Sequence, residues 1–272
     1  MTHTSESSQQ ASPGAIILAA GKGTRMRSDL PKVCHPVGGR PMVCAVVDAC
    51  LEAGCDRVVV VVGYKRELVR SALEGYDGRV EFAVQDEQHG TGHAVMCARG
   101  AFGGEPGGGE PGEGRDVFVL AGDGPLIRSE TLRTMLARQR EAGASATLAT
   151  SVIEDPTGYG RIVRNADGSF VGIVEQKNAT EAQLAIREVN PSYYCFRSGA
   201  LFDCLDRLPR NGLTGEYYIT DVPAMLLAEG RAVEVIDAVP PEDVLSINTL
   251  EQLALVDRVY RERTSAQEGA RS

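Results

Sequence analysis

Residues Arg57–Val62 read Arg-Val-Val-Val-Val-Val. Five consecutive β-branched residues fit a pleated sheet better than a helix. Polar and apolar positions do not alternate, so the strand has no wet face. It belongs inside a sheet covered on both sides, the usual setting of parallel strands. The run is far too short to cross a bilayer. Ala15–Ala20 and Val117–Ala121 repeat the pattern, each followed by glycine. Helical segments lie between. Pro41–Ala53 starts on proline, carries Met42, Val46, Ala49 and Cys50 on one face, and stops before Gly54. Lys65–Leu73 and Thr91–Ala101 also read as helices, and Val80–Val84 as a strand. This alternation predicts an α/β fold: a Rossmann-like, mostly parallel sheet with helices on both faces.

After the helix expected over Ser129–Glu141 the rhythm changes. Ala146–Ser151, Gly160–Arg164, Val171–Glu175, Ser192–Phe196 and Val233–Ala238 read as strands, and Gly199–Leu205 and Thr220–Glu229 as helices. Asn178–Leu184 fits neither pattern. Leu250, Leu253, Val256, Val259 and Tyr260 have helical spacing, which predicts a C-terminal helix over 249–263 and a tail over 264–272. Residues 1–14 are polar, with no basic start before an apolar run; they read as a disordered tail rather than a signal peptide. Residues 103–114 hold seven glycines and two prolines, so they read as a flexible surface insertion without a catalytic role. One domain over 15–248 is expected.

Acidic residues outnumber basic ones 37 to 28, which gives no support to non-specific nucleic-acid binding but leaves room for a basic nucleotide pocket. The seven cysteines form no C-x-x-C pair and are odd in number, which fits free thiols in the cytoplasm better than a disulfide scaffold.

Leu18-Ala19-Ala20-Gly21-Lys22-Gly23-Thr24-Arg25-Met26, closed by Pro31-Lys32-Val33, follows a buried strand. Its glycines let backbone N–H groups approach a phosphate without a Cβ in the way. Lys22, Arg25 and Lys32 place three cations around the turn, as polyanion binding requires. Neither familiar phosphate motif fits. The order G-x-x-x-x-G-K-[ST] is absent, and G-x-G-x-x-G fails because position 26 is Met.

This segment resembles the signature of the sugar-nucleotide pyrophosphorylases, and in particular the uridylyltransferase domains of bacterial N-acetylglucosamine-1-phosphate uridylyltransferases. The resemblance continues, in family order, through Gln85–His93, Gly122-Asp123, Asp155–Arg161, Gly172–Lys177, Glu188–Asn190 and Gly215–Asp221. It implies the nucleotide-diphospho-sugar transferase fold, with a sugar-binding lobe mainly within 150–220. It implies that Leu18, Ala19, Ala20, Gly21 and Gly23 surround base and phosphates, and that Arg25 and Lys32 stabilise charge. Gln85, Gln88, Gly90 and Thr91 fall at the uracil end, where a glutamine amide can donate and accept together; Thr91 could also cap the following helix. The resemblance makes Asp123 and Asn248 the ligands of Mg²⁺. Asp123 is a hard oxygen donor at the end of a strand, where open α/β sheets bind ligands. His89 and His93 lack the H-E-x-x-H context of zinc and read as packing or hydrogen-bonding groups.

On the sugar side the resemblance points to Gly160, Glu175, Asn190 and Tyr218. The chain departs from the family by Ala121 for Tyr, Gly124 for Val and, after Asn190, by Pro191-Ser192 where Thr-Gly is usual. The last change leaves sugar selectivity open. The expected reaction is attack of the phosphate of N-acetylglucosamine 1-phosphate on the α-phosphorus of UTP, with pyrophosphate leaving. A phosphate oxygen needs no general base, so catalysis rests on positioning and charge neutralisation. Other sugar 1-phosphates or nucleotides (UDP-GalNAc, UDP-glucose or dTDP-sugar chemistry) and an inactive sugar-nucleotide binder are the alternatives. Thr249–Ser272 shows no hexapeptide periodicity for the acetyl-transferring β-helix that such relatives often carry. The sequence therefore leads us to expect uridylyl without acetyl transfer, and a monomer or weak homodimer.

Overall fold

The computed structural model describes residues 11–23, 26, 28–102, 114–245 and 247–271, the last five by backbone alone. In chain order the strands are β1 (Gly14–Ala19), β2 (Pro36–Val37), β3 (Arg40–Pro41), β4 (Arg57–Val62), β5 (Val80–Val84), β6 (Asp116–Ala121), β7 (Ala146–Val152), β8 (Gly160–Arg164), β9 (Phe170–Val174), β10 (Glu188–Arg197) and β11 (Val233–Asp237). The helices are α1 (Met42–Glu52), α2 (Arg66–Ala72), α3 (Thr91–Cys97), α4 (Arg99–Phe102), α5 (Ser129–Ala142), α6 (Glu181–Leu184), α7 (Ser198–Leu205), α8 (Val222–Ala228) and α9 (Leu250–Arg271).

The main sheet runs β11-β7-β10-β6-β1-β4-β5. Pairs β5–β4, β4–β1, β1–β6 and β7–β11 are parallel, and β10 alone runs against its neighbours on this path. The valine run supplies the buried interior of β4, with Val58 to Val62 almost wholly enclosed. One face of the sheet packs Val46, Val47 and Cys50 of α1 with Leu132 and Met135 of α5. The other packs Ala94 and Val95 of α3 with Leu201 of α7 and Leu226 of α8. The α/β, mostly parallel architecture expected from the sequence is therefore present.

Several boundaries differ from the sequence reading, for identifiable reasons. The Thr91–Ala101 helix divides at Ala98, which caps α3 before α4 begins. Asn178–Leu184 contains a short helix, α6, started by a capping box in which Thr180 and Gln183 satisfy each other's backbone N–H groups. Strand β10 begins at Glu188, not Ser192. It passes through Pro191 because a register shift between Val189 and Tyr193 opens the β7 ladder there, so no donor is required of the proline. Gly14, assigned to the tail, pairs with Arg57 and Val117 as the first residue of β1. Helix α9 runs on to Arg271, through the segment read as tail. Val256 of α9 joins Met26, Met42, Leu126 and Ile247 in a third apolar cluster, and Asp257 accepts the Gly38 N–H at 2.7 Å. Of the glycine-rich insertion, 103–113 lie outside the described residues. Among the described residues no helix is long and apolar enough to cross a membrane.

Candidate functional site

From β1 the chain winds through α1, β4 and α2 to β5 on one side, then crosses back to β6 on the other. The carboxyl ends of β1 and β6 thus lie at the point where winding reverses, the usual ligand crevice of open α/β sheets. The two ends are joined by the Gly122 N–H, which donates to Leu18 O at 2.9 Å. A Cβ at 122 would lie 2.9 Å from that oxygen, so the approach depends on glycine.

A cleft of about 490 Å³ opens above these ends. Leu18, Ala19, Ala20, Gly21 and Gly23 line it, with Lys32, Gln85, Gln88, Gly90, Thr91, Asp123 and Tyr218. Gly23 has φ +64°, and a Cβ there would meet Lys32 Cβ at 2.7 Å. The glycine loop is therefore wound directly against the lysine that follows it. Met26, where a dinucleotide fingerprint would need glycine, is buried beneath α9 instead. Lys22 lies outside the cleft wall, its Nζ 5.4 Å from the centre of the Tyr64 ring. Arg25 lies outside the described residues, with Thr24 and Arg27.

Lys32 joins two distant parts of the chain. Its Nζ is 2.5 Å from Asp123 Oδ2 and donates to Asn248 Oδ1 at 3.4 Å. A carboxylate and an amide oxygen thus converge on one cation-sized point. Two hard oxygen donors suit Mg²⁺, which usually keeps waters and takes its remaining ligands from phosphate. Among the described residues no group of three or more His, Cys, Asp or Glu could hold a metal by itself. His93 Nδ1, on α3, is 3.0 Å from Gln85 Nε2, and His89 Nε2 is 2.7 Å from Glu87 Oε2, so both rings hydrogen-bond within the Gln85–His93 segment.

The Gln85–Thr91 loop is strapped to residues 217–219. Tyr217 N–H donates to His89 O and Gly92 N–H to Tyr217 O, both at 2.8 Å. Thr91 does not cap α3 with its side chain; Gly90 holds the cap position, and the Thr91 hydroxyl accepts the Ile219 N–H at 3.1 Å. Gln88 Nε2 donates to Ala20 O at 2.7 Å, tying this loop to the glycine loop. Gln85 is buried and donates to Gly90 O at 3.1 Å.

Gly160, Glu175 and Asn190 come together beyond the cleft wall. Gly160 faces Asn190 across the β8–β10 pair, and a Cβ on Gly160 would lie 3.7 Å from both Asn190 Cβ and Glu175 Oε1. Burial pushes the Glu175 carboxyl above the usual carboxylate range, with neighbouring Asp221 adding to the rise. The Asn190 amide is engaged at both ends: Oδ1 accepts the Ser192 N–H at 3.1 Å, and Nδ2 donates to Tyr194 Oη at 2.6 Å. Tyr218 lies on the wall, its hydroxyl 2.8 Å from Thr214 Oγ1. Ser192 and Tyr194 also line the cleft, and the sequence reading did not assign Tyr194 any role. A phenol inside a central strand needs a hydrogen-bond partner, and that was the available signal.

A second ionic cluster joins the segments that carry the two oxygen donors. Asp243 is buried, with Arg128 on both carboxylate oxygens and Arg263 of α9 donating at 3.1 Å. Tyr159, next to Gly160, donates its hydroxyl to Val244 O at 2.5 Å. Neither contact was legible in sequence, since Pro-Glu-Asp-Val resembles any solvated turn.

Residues 15–215 match the family described as the MobA-like NTP transferase domain. The chain is 44% identical over 249 residues to the protein named bifunctional protein GlmU of Geobacter metallireducens, covering 92% of this chain and 50% of that one. It is 43% identical to the GlmU proteins of Solibacter usitatus and Bacillus thuringiensis, covering 51% and 52% of them. The chain therefore spans about half the length of these relatives. Among solved structures, that of UDP-glucose pyrophosphorylase complexed with UDP-glucose superposes with a TM-score of 0.71 at 18% identity, covering 93% of this chain and 100% of the other. At that identity the likeness is one of fold.

Proposed function

This chain belongs to the MobA-like NTP transferase domain family, and on that premise we propose that it transfers a nucleotidyl group from a nucleoside triphosphate to a sugar 1-phosphate, releasing pyrophosphate. In its specific form the reading is uridylyl transfer from UTP to N-acetylglucosamine 1-phosphate, giving UDP-N-acetylglucosamine. The observation that carries it is the meeting of Lys32 with Asp123 and Asn248 at a cleft lined by the glycine loop, by Gln85 and Gln88, and by Ser192, Tyr194 and Tyr218. The identity to the GlmU proteins supports the specific form. The seven free cysteines fit a reducing, cytoplasmic setting.

The backbone of Leu18–Gly21 and Gly23 cradles the triphosphate, and Gln85, Gln88, Gly90 and Thr91 take the base. Gly160, Glu175 and Tyr218 serve the sugar side, with Asn190 supporting them from behind the cleft wall. The sugar phosphate supplies its own anionic oxygen, so the chain supplies no base. The P–O bond to the α-phosphorus forms as the bond to pyrophosphate breaks, and Lys32 with Arg25 neutralises the charge that develops on the phosphate oxygens. Asp123 and Asn248 would hold Mg²⁺, which when bound supplies charge neutralisation and a template for phosphate oxygens. Lys32, which meets the same two side chains, serves the phosphate oxygens beside them.

The decisive experiment measures pyrophosphate release over a panel of nucleoside triphosphates and sugar 1-phosphates, with and without Mg²⁺. Release that requires Mg²⁺ and is fastest with UTP and N-acetylglucosamine 1-phosphate is the expected result. Faster release with another sugar would replace the specific form, as the Pro191-Ser192 departure allows. Nucleotide binding without release from any pair would sink the enzymatic reading.

A further inference from the structure

Ser192 occupies a backbone conformation that residues with a Cβ avoid. Its φ is +66°, inside β10, at the register shift between Val189 and Tyr193. Left-handed φ is ordinarily glycine's, and a serine persists there only where its surroundings fix it. Asn190 does the fixing. The Ser192 N–H can only donate, so it selects Asn190 Oδ1 as its acceptor at 3.1 Å. That sets the amide's orientation and leaves Nδ2 to donate to Tyr194 Oη at 2.6 Å. Pro191, between them, has no N–H to compete.

The consequence is a division of labour. Asn190 is buried and stands behind the wall, with one end of its amide on the bulge and the other on the phenol. Ser192 and Tyr194 stand on the wall itself. Ser192 is therefore the small polar residue on the wall here, at a backbone position that would otherwise take glycine.

We propose that Ser192 determines sugar specificity in this chain, its hydroxyl hydrogen-bonding a ring substituent of the sugar 1-phosphate and limiting the bulk accepted there, with Asn190 as the positioning residue that holds the bulge. This rests on the nucleotidyl-transfer reading above and deepens it. A hydroxyl both donates and accepts, so it suits a ring hydroxyl or the amide of an acetamido group. Selectivity arises because a site built to bond a substituent is left with an unpaired polar group when the substituent is missing.

The test compares wild type, Ser192→Ala and Ser192→Gly on glucose 1-phosphate, galactose 1-phosphate and N-acetylglucosamine 1-phosphate. Ser192→Ala keeps the Cβ and removes the hydroxyl; it should lower kcat/KM for the preferred sugar about tenfold. Ser192→Gly also opens space and, relative to Ser192→Ala, should shift the kcat/KM ratio at least fivefold toward N-acetylglucosamine 1-phosphate, the bulkier sugar. The KM for UTP should stay within twofold in both. Ser192→Gly suits the native φ, so it should melt no lower than wild type. Asn190→Ala should move the sugar ratios in the direction of Ser192→Gly, again with UTP unaffected; unchanged ratios would remove its positioning role. Both Ser192 variants keeping wild-type ratios within twofold would overturn the proposal. Should wild type release no pyrophosphate from any pair, the nucleotidyl-transfer reading falls first. Calorimetric titration of the same sugar phosphates into the three proteins with a non-hydrolysable UTP analogue then decides Ser192: equal affinities overturn its role, and a changed order supports it.

Discussion

Gly90 is the position where one added methyl group should cost most. It has φ +98° and ψ −179°, a region essentially closed to residues with a Cβ. A Cβ built there lies 2.5 Å from Tyr217 O, 2.9 Å from Glu216 Cβ and 3.0 Å from Tyr217 N. Two of these are backbone atoms of a strap held to the loop by the Tyr217–His89 and Gly92–Tyr217 hydrogen bonds, so no rotamer change relieves the contact. The backbone conformation should cost about 1–3 kcal/mol and the overpacking about 1–3 kcal/mol more. Gly90→Ala should therefore lose about 2–6 kcal/mol of unfolding free energy. Gly54→Ala is the control: φ is +93°, but nothing lies within 4 Å of its Cβ, so it should lose only about 1–2 kcal/mol. Urea denaturation of both measures the difference. Glu216, Tyr218 and Ile219 of the strap line the cleft, so a Gly90→Ala protein that still folds should also bind UTP at least tenfold more weakly by calorimetry, on the order of 1.4 kcal/mol. Stability within about 0.5 kcal/mol of Gly54→Ala would refute the clash reasoning, and unchanged UTP affinity would remove the strap from the site.

Other perturbations separate the charge clusters. Asp123→Asn removes the carboxylate beside Lys32 and should cut Mg²⁺-dependent pyrophosphate release by roughly 10²-fold or more, about 3 kcal/mol; a variant with unchanged Mg²⁺ dependence would place the metal elsewhere. Glu175, whose pKa is raised by burial, binds its proton more tightly folded than unfolded. Its contribution to stability is thus greatest below about pH 4.3 and declines as pH rises through the folded pKa. Glu175→Gln, held neutral, should melt above wild type at pH 8 and level with it near pH 4, and equal melting at both pH values would refute the burial argument. Asp243→Ala leaves Arg128 and Arg263 without their buried partner and should cost about 3 kcal/mol in urea; a loss under 1 kcal/mol would show that the cluster is ornamental to stability.

The sequence by itself determined what is local. The valine run, the apolar stretches before Gly21 and Gly122 and the amphipathic segments specified strands and helices, because β-branching and residue periodicity act within a few residues. The glycine loop was readable for the same reason: Gly23 answers to its own φ, and nothing distant is needed to see it. Only the tertiary structure decided which distant groups meet. Lys32 and Asn248 are 216 residues apart, and they touch because strand order places β1 beside β6 while α9 packs on Met26 and Leu126, which follow those strands. No periodicity encodes strand order. The same holds for Asp243 with its two arginines, and for Asn190, which read in sequence as a group that faces the sugar. The bulge in β10 turns its amide toward Ser192 and Tyr194, and that depends on the register with β7 rather than on any residue near it in sequence.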